Sequence, residues 1–510
     1  MKNKLIILLS IFILSISACS CGLENPTPNN QACTEHKDHN ADNTCDACGV
    51  SVLVYVDFYA INDLHGKIAD GDSHPGVDEL TTYLKHAQLR DEYLFLLSSG
   101  DMWQGSSESN LTGGLLTTEW MNHLGFVSMT IGNHEFDCGE DAIEENDKMA
   151  NFPLLAINIY DQQTRELADY CQPSIVVEAG DVKIGIIGAI GDCYSSIAYE
   201  RVKDVYFKVG DELTELVKAE ATRLREEEDV DCIIYSLHDG YGKSKSDSVT
   251  TIPSSAISDY YDVELSNGYV DLVFEAHTHQ KYILMDQYGV YHLQHRGDNS
   301  GGISHVEISI NSITQKVTVQ TAELVSTSQY ADLYDDEIVA QLMEKYNDEL
   351  SHAYETLGYN ATQRNSSYLC QLIADLYVDA GLEKWGNEYN IVLGGGSIST
   401  RKPYNLKAGE VTYADLQPLF PFDNELVLCS VSGATLKQRF LYNSEYVISL
   451  SEYGKSILDN IDPNGTYYIV LDTWSSDYDP NRATEIDRYG NNVFARDLLA
   501  RYIKEGGLTR

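Results

Sequence analysis

The chain has 510 residues, more than one hydrophobic core usually holds, so two large domains are expected. With 43% hydrophobic and 22% charged residues it has the composition of a globular protein, not of a disordered or fibrous one. Acidic side chains outnumber basic ones 78 to 35, a formal net charge of −43; a field of that sign repels nucleic acid polymers and anionic membrane faces, so any small anionic ligand needs local cations.

Lys2 and Lys4 precede an apolar stretch from Leu5 to Ile16 and then Ser17, Ala18 and Cys19, the layout of a secretory signal. The tetrad Ile16-Ser17-Ala18-Cys19 resembles a bacterial lipobox, which predicts residues 1–19 as a leader and Cys19 as a lipid anchor on the cell surface; ordinary cleavage nearby is the alternative. No later stretch is apolar for long enough to span a bilayer, so the body is expected to be tethered at most. Residues 20–51 read as a spacer. Cys33, His36, Cys45 and Cys48 have pair spacings that suit one tetrahedral zinc, Asp38, Asn40 and Asp42 alternate like the start of a calcium loop without its closing Glu, and a disulfide-stapled linker is the third reading.

From residue 52 to 326, strand-like apolar runs alternate with helical stretches such as Asp211 to Glu228, which predicts an α/β layered domain. Five of the runs stop at a burst of Asp, Asn or His: Asp63 and His65 after Val52 to Ile61, Asp101 after Leu94 to Leu97, Asn133 and His134 after Val127 to Ile131, His238 after Ile233 to Leu237, and His277 and His279 after Leu272 to Phe274. In α/β domains ligands gather outside the carboxyl ends of strands, where these bursts fall. Over 327–356, Ile338, Leu342, Tyr346 and Leu350 recur every four residues and predict one amphipathic helix joining two domains. Residues 357–510 carry their own apolar runs and the cluster Gly394-Gly395-Gly396, and are read as a separate C-terminal α/β domain.

The donor types suit a pair of metal ions. Asp63 and His65 lie two apart, so an extended backbone would send both to one side and one ion; His277 and His279 repeat the arrangement. Asp101 offers two carboxylate oxygens as a bridge, while Asn133 and His238 complete the second ion. Mixed nitrogen and oxygen donors fit zinc, manganese or iron better than magnesium or calcium. Two ions about 3.5–4 Å apart clamp a phosphoryl group during in-line displacement. His134 is left over as a non-ligand imidazole for proton transfer, and Asp137 is placed to orient it. The remaining cysteines, Cys138, Cys171, Cys193, Cys232, Cys370 and Cys429, have no metal spacing and are expected to be buried thiols or unpaired.

Asn62-Asp63-Leu64-His65-Gly66, Gly100-Asp101-Met102-Trp103-Gln104-Gly105, Gly132-Asn133-His134-Glu135-Phe136-Asp137, His238-Asp239-Gly240 and His277-Thr278-His279 together resemble the secreted 5′-nucleotidases. The resemblance implies a metallophosphatase domain, a β-sandwich flanked by helices, followed by a nucleotide-binding domain. It further implies that one ion takes Asp63, His65, Asp101 and His279, the other Asp101, Asn133, His238 and His277, with His134 and Asp137 as the catalytic pair. Pro421-Phe422-Asp423-Asn424 looks like the family segment whose Phe stacks on the base and whose Asn contacts the nucleoside. Where the family has Asn-Gly-Gly-x-Ile-Arg, this chain has Gly394 to Ser399; Arg401 is then expected to replace the missing arginine, and Trp474 to form the second face of a base sandwich. The family's lobes rotate against each other, which makes the 336–354 helix the implied hinge region.

The leading expectation is an exported phosphoesterase acting on nucleotides. The alternatives are the same metal chemistry on a non-nucleotide ester, and a surface binding protein whose metals are structural.

Overall fold

The computed structural model describes residues 36–509 except 71–75, 244–247, 252–260, 298–301, 401–404, 445, 478–482 and 491–492. The leader, Cys19, Cys33 and Arg401 therefore lie outside the described residues. The chain forms two compact units, 1–52 and 53–510. No described helix is long and apolar enough to cross a membrane.

Strand alternation explains the core of the second unit. In Leu53–Ile61 the side chains of Val56, Phe58 and Ala60 share one face and meet Ile184, Ile186, Ile234 and Phe274 across a dry interface between two sheets. Tyr59 and Ile61, on the opposite face, pack with Leu80, Leu84 and Trp120 of the covering helices. Burying each such side chain contributes about 1.5–3 kcal/mol.

One sheet runs Val317–Val325, Ile303–Asn311, Leu53–Ile61, Leu94–Ser98, Ser128–Thr130, Leu154–Leu155, parallel over its last four strands. The other runs Thr250–Thr251, Tyr282–Met285, Tyr291–Gln294, Leu272–Glu275, Cys232–His238, Val182–Ile190, Ser174–Ala179, parallel from Tyr291–Gln294 through Val182–Ile190. Its outer face is covered by the helix Asp211–Glu227 through Leu213, Val217, Ala221 and Leu224, whose spacing keeps them on one stripe. All five bursts of donors thus fall at carboxyl ends of parallel strands.

The C-terminal part builds a five-stranded sheet in the order Val447–Leu450, Ile391–Gly396, Thr466–Asp472, Leu426–Ser432, Thr484–Arg488, with the helix Ser366–Trp385 packed against it. Asn365 starts that helix by accepting the Tyr368 N–H at 3.0 Å. Between the two sheet systems the structure departs from the single helix that the four-residue spacing predicts. The segment is two helices, Glu337–Lys345 and Asn347–Leu350, broken at Tyr346, whose hydroxyl donates to Glu119 at 2.9 Å. Val339, Leu342, Tyr346 and Leu350 bury into the same core as Trp120, and Lys85 pairs with Asp336 at 2.6 Å, so the segment is docked on the first sheet system and does not cross open space.

Candidate metal centre and cleft

The expectation of extended backbone at the donor pairs is wrong. Asp63, His65, Asp101, His277 and His279 all take left-handed conformations, with φ of 52°, 53°, 56°, 66° and 51°. Among the described residues ten non-glycine positions have positive φ, and these five make half of them. Asp and His tolerate that region better than most residues, and such strain persists only where surrounding structure over-determines it. The left-handed turns reverse the chain after the strands, and that, not strand alternation, aims Asp63 and His65 at a common point but sends His279 to them and His277 to Asn133 and His238, so the two histidines do not share one point as their spacing suggests. Gly100, at φ +98°, makes the approach possible: a Cβ there would meet His238 Nδ1 at 2.6 Å, and one on Gly132 would meet Asp101 Oδ1 at 2.4 Å.

The seven donors expected from the sequence come together. His65 Nε2 is 3.1 Å from His279 Nε2, and His279 Nε2 is 3.4 Å from Asp63 Oδ1. Asn133 Oδ1 lies 3.1 Å from His238 Nε2 and 3.0 Å from His277 Nδ1, and His238 Nε2 is 3.2 Å from Asp101 Oδ1. Asp63, His65, Asp101, Asn133 and His238 are buried, and His277 and His279 reach the rim. Asp101 Oδ2 is buried with no hydrogen-bond partner, a costly state for a carboxylate oxygen unless a cation takes it. Backbone carbonyls of Gln104 and Ser99 sit 2.8 and 2.7 Å from the Nδ1 atoms of His65 and His238, fixing the tautomer that turns each Nε2 lone pair inward. Burial opposes ionisation of Asp101, but His238, His134 and His65 outweigh it and hold the carboxyl well below its usual range. The donor set fits divalent cations.

His134 and Asp137 sit beside this cluster in the turn His134–Cys138, with His134 Nδ1 2.7 Å from Asp137 Oδ2, both partly open to solvent. Glu135 between them was given no role from the sequence. It is buried and accepts N–H groups of Asp101 (2.9 Å), Met102 (2.8 Å), Trp103 (3.3 Å) and Gly132 (2.7 Å), so one carboxylate ties the turn bearing Asp101 to the strand end bearing Asn133. Burial and then Asp101 push its carboxyl up to about 7. Cys193, expected from sequence to be a buried thiol or unpaired, is a buried free thiol and lies beside the centre: it donates to the His238 carbonyl at 2.9 Å, and its Sγ lies within 4.8 Å of ring nitrogens of His238 and His277.

The centre opens into a cleft of about 380 Å³ lined by Asn133, His134, His277, Phe422, Asn424 and Trp474, along with Arg201, Tyr377 and Asp472. Phe422 stacks on His134 with ring centroids 5.7 Å apart. The Pro421 carbonyl accepts Gln104 Nε2 at 3.0 Å and Asn110 Nδ2 at 3.2 Å, joining the C-terminal loop to the turn that orients His65. Arg496, buried, holds the same loop through the carbonyls of Phe420 and Phe422 and the Asp423 carboxylate. Arg201 and Arg496 carry no motif; they are identified only by where tertiary structure places them.

This fold and this donor set define a metal-dependent phosphoester hydrolase. Comparison with known proteins agrees: residues 56–281 match the calcineurin-like phosphoesterase profile and residues 349–483 the 5′-nucleotidase, C-terminal domain. The chain is 24% identical to Protein UshA of Yersinia enterocolitica over 79% of its own length and 78% of that protein's. It is 24% identical to Endonuclease YhcR of Bacillus subtilis over 81% of its length, but spans only 36% of that longer protein. The crystal structure of a 5′-nucleotidase precursor from Thermus thermophilus shares the fold, with a TM-score of 0.64 at 16% identity, covering 89% of this chain and 97% of that one. The chain belongs to the 5′-nucleotidase family of metallophosphoesterases.

Proposed function

We propose that this protein hydrolyses nucleotides to nucleoside and phosphate with two divalent ions, zinc, manganese or iron. One is held by Asp63, His65, Asp101 and His279, the other by Asp101, Asn133, His238 and His277. The observation that carries the reading is the partnerless Asp101 Oδ2, buried at the centre of six other donors and beside a cleft that ends in aromatic side chains. Bound ions would supply Lewis-acid stabilisation of the phosphoryl oxygens and a nucleophile at neutral pH.

The chain's own residues do the rest. Asp137 orients the His134 imidazole at Nδ1, so the other ring nitrogen hands a proton to the departing ester oxygen. Phe422 and Trp474 line the cleft as the two faces available to a base, and Asn424 is placed beside them for the nucleoside. Ser399 stands where the family motif has an arginine, and Arg401, expected to replace it, lies outside the described residues; Arg201, at the cleft wall, supplies a positive charge for phosphate. In a chain of net charge −43 that local cation offsets the long-range field. Export with a lipid on Cys19 is part of the same reading, supported by Lys2, Lys4 and the apolar run ahead of Ile16-Ser17-Ala18-Cys19.

The test is phosphate release from AMP, a cyclic nucleotide, UDP-glucose and glucose 6-phosphate with added manganese or zinc. A nucleotide is expected to have the highest kcat/KM. Preference for the sugar phosphate would remove the nucleotide from the reading and leave the metal chemistry.

A further inference from the structure

Residues 36–52 are the described part of the first unit, and among them only Cys45 and Val52 are buried apolar side chains. That is far too little apolar area to hold a fold. The backbone is nevertheless tied throughout. Asp38 accepts the N–H groups of Asp42 at 3.1 Å and Asn43 at 2.8 Å, Asp42 accepts that of Thr44 at 2.9 Å, and Asp46 accepts that of His39 at 2.9 Å. The Asp46 N–H donates to the Lys37 carbonyl, and the Cys45 N–H to that of Val50, both at 2.8 Å. Gly49, at φ +74°, closes the turn by donating to the Cys45 carbonyl at 2.8 Å.

These ties assemble three soft donors. His36, Cys45 and Cys48 each present one ligand atom, all within 4.8 Å of one another, and His36 Nδ1 is 3.5 Å from Cys48 Sγ. The Lys37 N–H points at Cys45 Sγ at 3.4 Å, the kind of backbone contact that supports a metal-bound thiolate. We propose that His36, Cys45 and Cys48 form a structural zinc site that holds this N-terminal knuckle together and takes no part in phosphoester hydrolysis.

Two sulfurs and an imidazole select zinc over the hard cations. The calcium reading lacks the loop's closing Glu, position 49 being glycine, and oxygens of Asp38, Asn40 and Asp42 accept backbone amides of the same loop, which orders the backbone without any cation. For a segment with so small a core, the free energy of metal binding is the free energy of folding. Cys33, three residues before His36 in the sequence, lies outside the described residues.

The experiment uses the full chain, isolated without reductant, stripped with a chelator and reloaded with zinc alone or cobalt alone. Zinc is expected to protect Cys45 and Cys48 from alkylation, read by peptide mass spectrometry. Cobalt should give a near-ultraviolet thiolate charge-transfer band that persists in Asp101→Asn and disappears in the Cys45→Ser/Cys48→Ser double variant. That double variant should carry about one zinc fewer per chain and still hydrolyse an aryl phosphate at the wild-type rate. Equal alkylation with and without zinc, or recovery of the two cysteines as a disulfide, overturns the proposal, as does protection in a third sample reloaded with calcium alone where zinc gives none. None of these outcomes bears on the catalytic reading.

Discussion

In the proposed reaction His134 acts on the proton and holds no metal. Its Nδ1 is 2.7 Å from Asp137, and its backbone N–H donates to Asp101 Oδ1 at 2.9 Å, while its ring is outside the seven-donor cluster. His134→Ala keeps that backbone bond. It should therefore lower kcat by roughly 10²- to 10⁴-fold with the metal content unchanged, measured by steady-state hydrolysis and elemental analysis of the same sample. Loss of metal along with activity would make His134 a ligand instead. At this scale the sequence was informative about residue type and silent about backbone. Asp, Asn and His at strand ends announce donors, because few other side chains bind cations. The left-handed φ of Asp63, His65, Asp101, His277 and His279 is imposed by the turns around them, Gly100 and Glu135 among the causes, and has no signature in local spacing.

The turns carrying His277 and His279 rest on a buried polar network at the end of the strand Leu272–Glu275. Glu275 accepts from Tyr282 and pairs with His292 at 2.8 Å, Asp286 lies 3.5 Å from the other side of that ring, and Gln294 accepts from Thr278 and from the Gln280 N–H, both at 2.9 Å. Burial works against a charged His292, but hydrogen bonds to Asp286 and Glu275 prevail and raise it from 6.5 to about 9. A raised histidine contributes stability that is fully present below its unfolded value and lost as pH climbs through its folded one. The urea midpoint of metal-free protein should thus fall between pH 6.5 and 9, and His292→Gln should flatten that fall; an unchanged slope in the variant would place the charge elsewhere. Elements were legible from periodicity where packing follows it, as in Leu213, Val217, Ala221 and Leu224. The break at Tyr346 was not, because Ile338, Leu342, Tyr346 and Leu350 keep their four-residue spacing through it and no Gly or Pro marks the position.

Across the whole molecule, the cleft depends on the C-terminal loop meeting the metal-bearing turns. Pro421 is held by Gln104 and Asn110, and Phe422 lies on His134, so the side chain proposed as the base platform touches the imidazole proposed as proton donor. Phe422→Ala should raise KM for a nucleotide by roughly ten-fold or more, since base–aromatic stacking is worth about 1–3 kcal/mol, and leave hydrolysis of an aryl phosphate nearly unchanged. An equal loss on both substrates would make Phe422 a packing residue. That a calcineurin-like part precedes a 5′-nucleotidase C-terminal part was legible from motifs in each, the five strand-end bursts in the first and Pro421 to Asn424 in the second. The cation at the cleft wall was not, because Arg201 arrives from a short turn that no pattern marks.

The most direct test of the account is anomalous scattering from crystals grown with zinc or manganese, recorded at the metal edge. Two peaks about 3.5–4 Å apart are expected against Asp101, with its carboxylate within bonding reach of both, Asp63, His65 and His279 around the first and Asn133, His238 and His277 around the second. A single peak, or none within reach of Asp101, would contradict it.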